Sequence, residues 1–125
     1  MIKKHTISFK NAWHGLWWAL SSQPNYRIHL LLSLLALIGG FLLQISYGEF
    51  LVILLLITLG FSIETINTAI EETTDAISSE KRLDIGLAKD VAAGAMLVFA
   101  IGSFVIALVI FIPKIVSVIT FNFKL

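Results

Sequence analysis

The sequence predicts an all-α integral membrane protein, with three transmembrane helices and an N-terminal amphipathic surface helix. Composition is the first reason: of 125 residues, 58% are hydrophobic and only 14% charged, against about 25% charged in a soluble domain. Hydropathy patterning is the second. Three apolar spans, Ile28 to Gly48, Phe50 to about Ala69 and Val91 to Ile112, take up most of the chain and approach the roughly 20 residues that cross a bilayer. Third, the polar interruptions between them are too short for a separate soluble domain, so residues 1–125 read as a single membrane domain. The absence of cysteine excludes disulfides and cysteine-based metal sites.

The surface helix is expected over about residues 6–21. Phe9, Trp13, Leu16, Trp17 and Leu20 follow helical spacing and form one apolar face. Three tryptophans beside Lys10 and His14 suit a helix lying in the headgroup layer; an amphipathic helix packed on protein would carry the same pattern. Lys3 and Lys4 precede no long apolar core until Ile28, so the segment reads as retained rather than as a signal peptide. Ser22-Gln23-Pro24-Asn25 breaks the helix, because proline disfavours helical geometry in the residue before it.

The transmembrane helices are expected over about 28–48, 50–75 and 88–112. Gln44 to Glu49 reads as a polar turn between the first two, and Ala76 to Gly86 as a loop. Lys89-Asp90 is expected to open the third span and Pro113-Lys114 to close it. Ala92, Ala93, Gly94 and Ala95 are small enough for close helix contact. Lys3, Lys4, Lys10, Arg27, Lys81, Arg82 and Lys89 lie on one side of these spans, against Lys114 and Lys124 on the other. That asymmetry places the N-terminus and the middle loop in the cytoplasm.

The second span carries the chemistry. Fourteen uncharged residues, Phe50 to Ile63, run straight into Glu64, Asn67, Thr68, Glu71, Glu72 and Asp75. These six fall at i, i+3, i+4, i+7, i+8 and i+11, one polar stripe on a helix. At about 1.5 Å per residue Glu64 lies roughly 21 Å past Phe50, just under the far surface of a core about 30 Å thick. A carboxylate at that depth is expensive and is usually kept for a purpose. Carboxylates and an amide suit magnesium. Lys89, on a helix whose N-terminus offers amide donors, suits phosphate oxygens. A desolvated glutamate serving as base completes a set fit for phosphoryl transfer from a nucleotide. Neither G-x-x-x-x-G-K-[ST] nor G-x-G-x-x-G occurs, which excludes a P-loop or protein-kinase motif. No nucleic-acid partner is expected.

Blander readings stand beside this one. An intramembrane glutamate can serve packing or proton binding, and a small proton- or cation-coupled transporter using Glu64 is the alternative function. Glu72, Asp75, Glu80 and Asp84 suit a solvated surface. His5, His14 and His29 have no metal-ligand spacing and read as interfacial or structural.

Glu64-x-x-Asn67-Thr68-Ala69-Ile70-Glu71-x-x-x-Asp75, followed by Ala88-Lys89-Asp90-Val91-Ala92-Ala93-Gly94-Ala95, resembles the signature of the small prokaryotic diacylglycerol kinase and undecaprenol kinase family. The likeness covers nearly the whole chain, including Phe9-x-x-Ala12-x-x-Gly15, Asn25-Tyr26-Arg27-Ile28-His29 and Ile110-Phe111-Ile112-Pro113-Lys114. It implies a homotrimeric helical bundle in the bacterial inner (cell) membrane, which phosphorylates a lipid alcohol with ATP and Mg2+. It also implies that Glu64 is the general base on the lipid hydroxyl and Glu71 the metal ligand bridging to ATP. Asn67 would support that site, Lys89 would bind phosphate and Asp90 would hold the nucleotide, with weaker contributions from Lys4 and Glu80. In two places the chain departs from the family pattern. Gln23 stands where a further metal-binding glutamate is common, keeping an oxygen ligand but losing its charge, and Arg82 replaces a loop histidine. The Asn25 to His29 segment and the Ala88 to Ala95 run look closer to the undecaprenol kinase branch, so undecaprenol is favoured by a small margin over diacylglycerol.

Overall fold

The computed structural model describes the backbone of residues 2–77 and 82–122 and the side chains of 6–77 and 82–121. Among these residues the chain is entirely helical: α1 (Ile2–Ser22), α2 (Pro24–Leu42), α3 (Tyr47–Ile77) and α4 (Leu83–Asn122). The last three are long and apolar enough to cross a membrane.

Pro24 both ends α1 and starts α2. Gln23 takes the extended conformation that a following proline favours, with φ −92° and ψ 122°. Pro24 sits at the first position of α2, where its missing N–H costs nothing. At the end of α1, Gln23 N–H donates to Ala19 O at 3.0 Å, and one turn back Ser21 Oγ donates to Trp17 O at 2.9 Å and Ser22 Oγ to Trp18 O at 2.7 Å. Of the apolar face expected on α1, Phe9, Trp13 and Trp17 are exposed, and Leu16 and Leu20 are half-buried.

Helix α2 stops at Leu42, six residues short of the expected boundary at Gly48, because the turn after it is itself structured. Gln44 adopts the left-handed conformation at φ 52°. Its N–H donates to Phe41 O at 3.2 Å, while Ile45 N–H donates to Gly40 O at 3.0 Å. This is the Schellman pattern. Ile45 folds back over Gly40, where an added Cβ would stand only 2.8 Å from Ile45 Cδ1. Ser46 and Glu49 then close a reciprocal capping box, Ser46 N–H donating to Glu49 Oε2 at 2.6 Å and Glu49 N–H to Ser46 Oγ at 3.3 Å. Lys114 Nζ approaches the same carboxylate at 3.4 Å, tying the start of α3 to α4.

At about 1.5 Å per residue, the 31 residues of α3 run roughly 46 Å, and the 40 of α4 roughly 60 Å. Both exceed a hydrocarbon core of about 30 Å. Two expected boundaries are corrected here. Helix α4 begins at Leu83, so Lys89 lies almost two turns inside it and does not open it. Nor does Pro113 close it, since the helix continues to Asn122. Continuation leaves unmade only the bond that proline cannot donate, whereas a break would free the backbone groups of a whole turn.

Helix α3 is the centre of the chain. It packs against both α2 and α4, with α1 touching α2 and α3. Its buried residues, Ile53, Gly60, Glu64, Asn67, Thr68 and Thr74, form one stripe at helical spacing. The Phe99 ring fills the notch at Gly60, where an added Cβ would lie 2.9 Å from Phe99 Cε1. Most other apolar side chains of α2 and α4 face outward, among them Leu31, Leu35, Val98, Phe104 and Val109. They suit acyl chains or a neighbouring chain rather than water.

Candidate functional site

The inward stripe of α3 changes from apolar to polar at Glu64. Tyr26, only 1% exposed, fixes α2 against it. Thr65 Oγ1 donates its proton to Phe61 O at 2.6 Å, so the Tyr26 hydroxyl is the donor in its 2.5 Å contact with Thr65 Oγ1. Phe61 lies beside both Tyr26 and His29, with ring centroids 5.8 and 6.2 Å away.

Glu64 is 1% exposed, as deep as any side chain among the described residues. Its Oε2 has no hydrogen-bond partner, and His29 Nε2 stands 3.9 Å from it. One turn on, Asn67 is 5% exposed; its Nδ2 donates to Glu71 Oε1 at 3.0 Å, while its Oδ1 is buried and unpartnered. Thr68 is buried and Glu71 half-buried, with Glu72 and Asp75 exposed. The stripe thus grades from a dry carboxylate to a wet one over three turns. At its wet end Lys89 Nζ donates to Asp75 Oδ1 at 2.7 Å, bringing α4 to the site.

The remaining sequence candidates are more scattered. Gln23 sits at the α1–α2 joint, its side chain making no capping bond. Asp90 is exposed on α4. The side chains of Lys4 and Glu80 lie outside the described residues. Arg82 donates to both carboxylate oxygens of Asp84, at 3.1 and 2.6 Å.

Among the described residues no three His, Asp or Glu converge as a metal cage. The donor set nevertheless suits magnesium, which binds through one or two carboxylates together with waters and substrate phosphates. Glu71 and the unpartnered Oδ1 of Asn67 supply hard oxygens one turn apart.

On the apolar side of Glu64 a cleft of about 250 Å³ opens between α2, α3 and α4. Leu32 and Ala36, Ile53 and Leu56, and Phe99 and Phe104 line it, with His29 at the wall. The cleft and His29 are what sequence reasoning missed. The signal was present in the spacing of Tyr26, His29 and Ser33, at i, i+3 and i+7, which puts His29 on the face of α2 that carries Tyr26 towards α3.

Comparison with known proteins agrees with this architecture. Residues 10–111 match the profile of a family described as prokaryotic diacylglycerol kinase. The chain is 43% identical over 107 residues to the undecaprenol kinase of Bacillus subtilis, covering 86% of this chain and 87% of that one. It is 30% identical over 112 residues to a diacylglycerol kinase of Synechocystis, covering 89% of this chain and 64% of that longer protein.

Proposed function

Because the chain belongs to the prokaryotic diacylglycerol kinase family, we propose that it is a membrane lipid kinase transferring the γ-phosphoryl group of ATP to a lipid alcohol, with undecaprenol favoured over diacylglycerol. The observation that carries the reading is Glu64, a buried carboxylate with an unpartnered oxygen, placed between an apolar cleft and an acidic stripe that leads to exposed residues. The greater identity and fuller coverage of the undecaprenol kinase relative support the preference for undecaprenol.

In this mechanism the hydrocarbon tail occupies apolar surface and its hydroxyl reaches Glu64. Glu64 takes the hydroxyl proton as the oxygen attacks the γ-phosphorus. The bond from phosphorus to the β–γ bridging oxygen breaks, and ADP leaves. Glu71 and Asn67, with Gln23 as a further oxygen donor, would hold Mg2+, which offsets the charge that develops on the phosphates. Lys89 exchanges Asp75 for phosphate oxygens, and Asp90 holds the nucleotide, assisted by Lys4 and Glu80. Three membrane helices can hardly enclose lipid and nucleotide together, and the exposed apolar faces of α2 and α4 call for cover, so a neighbouring copy completes the site; the family resemblance makes that working unit a homotrimer. Charge asymmetry supports a cytoplasmic N-terminus, and the family resemblance supports a bacterial inner membrane.

The test is ATP-dependent phosphate transfer by the purified protein in mixed micelles, offered undecaprenol and diacylglycerol side by side. Magnesium-dependent labelling of one lipid is expected, with undecaprenol preferred. Transfer to neither, with the oligomer intact, would overturn the proposal, as would Glu64-dependent ion flux in proteoliposomes without ATP.

A further inference from the structure

Among the described residues, Glu64 Oε2 is a buried carboxylate oxygen with no hydrogen-bond donor. Leaving such an oxygen unpaired is costly, and the side chain is only 2% exposed. The one ion-pair contact it makes is with His29, whose Nε2 is 3.9 Å away, about 1 Å beyond a hydrogen bond. Catalytic hydrogen bonds are often this long before substrate binds and tighten in the complex.

The imidazole is held for that role. The ring lies against α3, its Nδ1 4.0 Å from where a Cβ on Gly60 would stand, an ordinary contact distance. The Phe61 ring flanks it. Nε2 is therefore the nitrogen turned towards Glu64. His29 also lines the apolar cleft and keeps 21% of its side chain exposed there. His29 therefore stands between the cleft that it lines and the Glu64 carboxylate 3.9 Å away. The ion-paired cations on the other elements are engaged elsewhere: Lys89 with Asp75, Arg82 with Asp84 and Lys114 with Glu49.

We propose that His29 is a positioning residue for phosphoryl transfer, its Nε2–H holding Glu64 Oε2 so that Oε1 faces the lipid hydroxyl and receives its proton. The inference rests on the lipid-kinase reading above and deepens it. The proton passes from the lipid oxygen to Glu64 Oε1 and later to water, while His29 keeps its own proton throughout.

The experiment compares His29→Leu and His29→Gln with wild type and Glu64→Gln, measuring kcat and the KM for ATP in mixed micelles with whichever lipid the wild type uses. Leucine keeps bulk against Gly60 and Phe61 without a donor; glutamine keeps an amide donor near the place of Nε2. A misplacement of about 1 Å at a reacting group can cost about 10²-fold. His29→Leu is therefore expected to lose about 10²-fold in kcat at unchanged KM for ATP, with His29→Gln within about threefold of wild type. Equal activity of the two variants, or a loss confined to KM, overturns the positioning role. If His29→Leu does not fold, His29→Ala takes its place, and failure of both to fold overturns the role in favour of a structural one. The two readings fail separately. An inactive wild type or an active Glu64→Gln removes the kinase reading or the base and this inference with it. An inactive Glu64→Gln beside a fully active His29→Leu removes the inference alone.

Discussion

Replacing Glu64 by glutamine should make the protein inactive and more stable at once. Glutamine matches the size and shape of glutamate, so packing against α2 and α4 is unchanged. Chemically, the substitution removes the carboxylate assigned to accept the lipid proton. Loss of a general base costs about 10²- to 10⁴-fold in rate, or roughly 3–5 kcal/mol of barrier at about 1.4 kcal/mol per tenfold. For stability the sign is opposite. Glu64 is 1% exposed, and its Oε2 lacks a partner. An unsatisfied buried polar group costs about 1–3 kcal/mol, and more when charged. Neutralising it while leaving an amide in the same pocket should return about 1 kcal/mol, or about 4 °C in thermal midpoint. The assay pairs steady-state lipid phosphorylation with thermal unfolding of the same micellar preparation. Turnover within threefold of wild type would refute Glu64 as the base. A fall in midpoint of several degrees would refute the claim that its charge is a structural burden accepted for function.

Other consequences follow from the same contacts. Glu71→Gln should raise the magnesium concentration required for half-maximal rate by about tenfold or more, because it weakens a hard-oxygen site that no cage of further ligands supports; an unchanged magnesium titration would remove Glu71 from the metal site. Ser46→Ala deletes one half of the capping box and should cost about 1 kcal/mol of stability with kcat intact; a loss of activity without a loss of stability would contradict a purely structural turn. Gly60→Leu should both clash with Phe99 and crowd His29, lowering the thermal midpoint by an overpacking cost of about 1–3 kcal/mol. Unaltered melting there would mean that α3 and α4 are not packed as described.

The helices were legible because their signals are local. Pro24 announces a joint from its ring geometry, and the α3 stripe announces itself from spacing alone. The errors have local and tertiary causes. Gln44 to Glu49 read as a generic polar turn because a left-handed glutamine is uncommon, so the Schellman pattern that shortens α2 was hidden. The capping box was visible as Ser46-x-x-Glu49, yet it sits inside residues that hydropathy assigns to a span boundary. Pro113 misled because an internal proline removes one intrahelical bond and can kink a helix without ending it. His29 was undervalued because its meaning depends on a partner 35 positions away on another helix. Of the stripe, the order of burial from Glu64 through Asn67 to Glu71 was implicit in periodicity, but the pairing of Lys89 with Asp75 was not.

The turn between α2 and α3 also bears on how the protein enters its membrane. Leu43 to Ser46 carries no charge, and its backbone N–H groups are bonded to α2 on one side and to Glu49 on the other. If α2 and α3 insert as one hairpin, this tip must traverse the hydrocarbon, and it does so with its N–H groups already bonded. Glu49 is the lone charge near it, and Lys114 meets that charge only once α4 is in place. On that route, the arrival of the last helix neutralises the one charge beside the crossing tip.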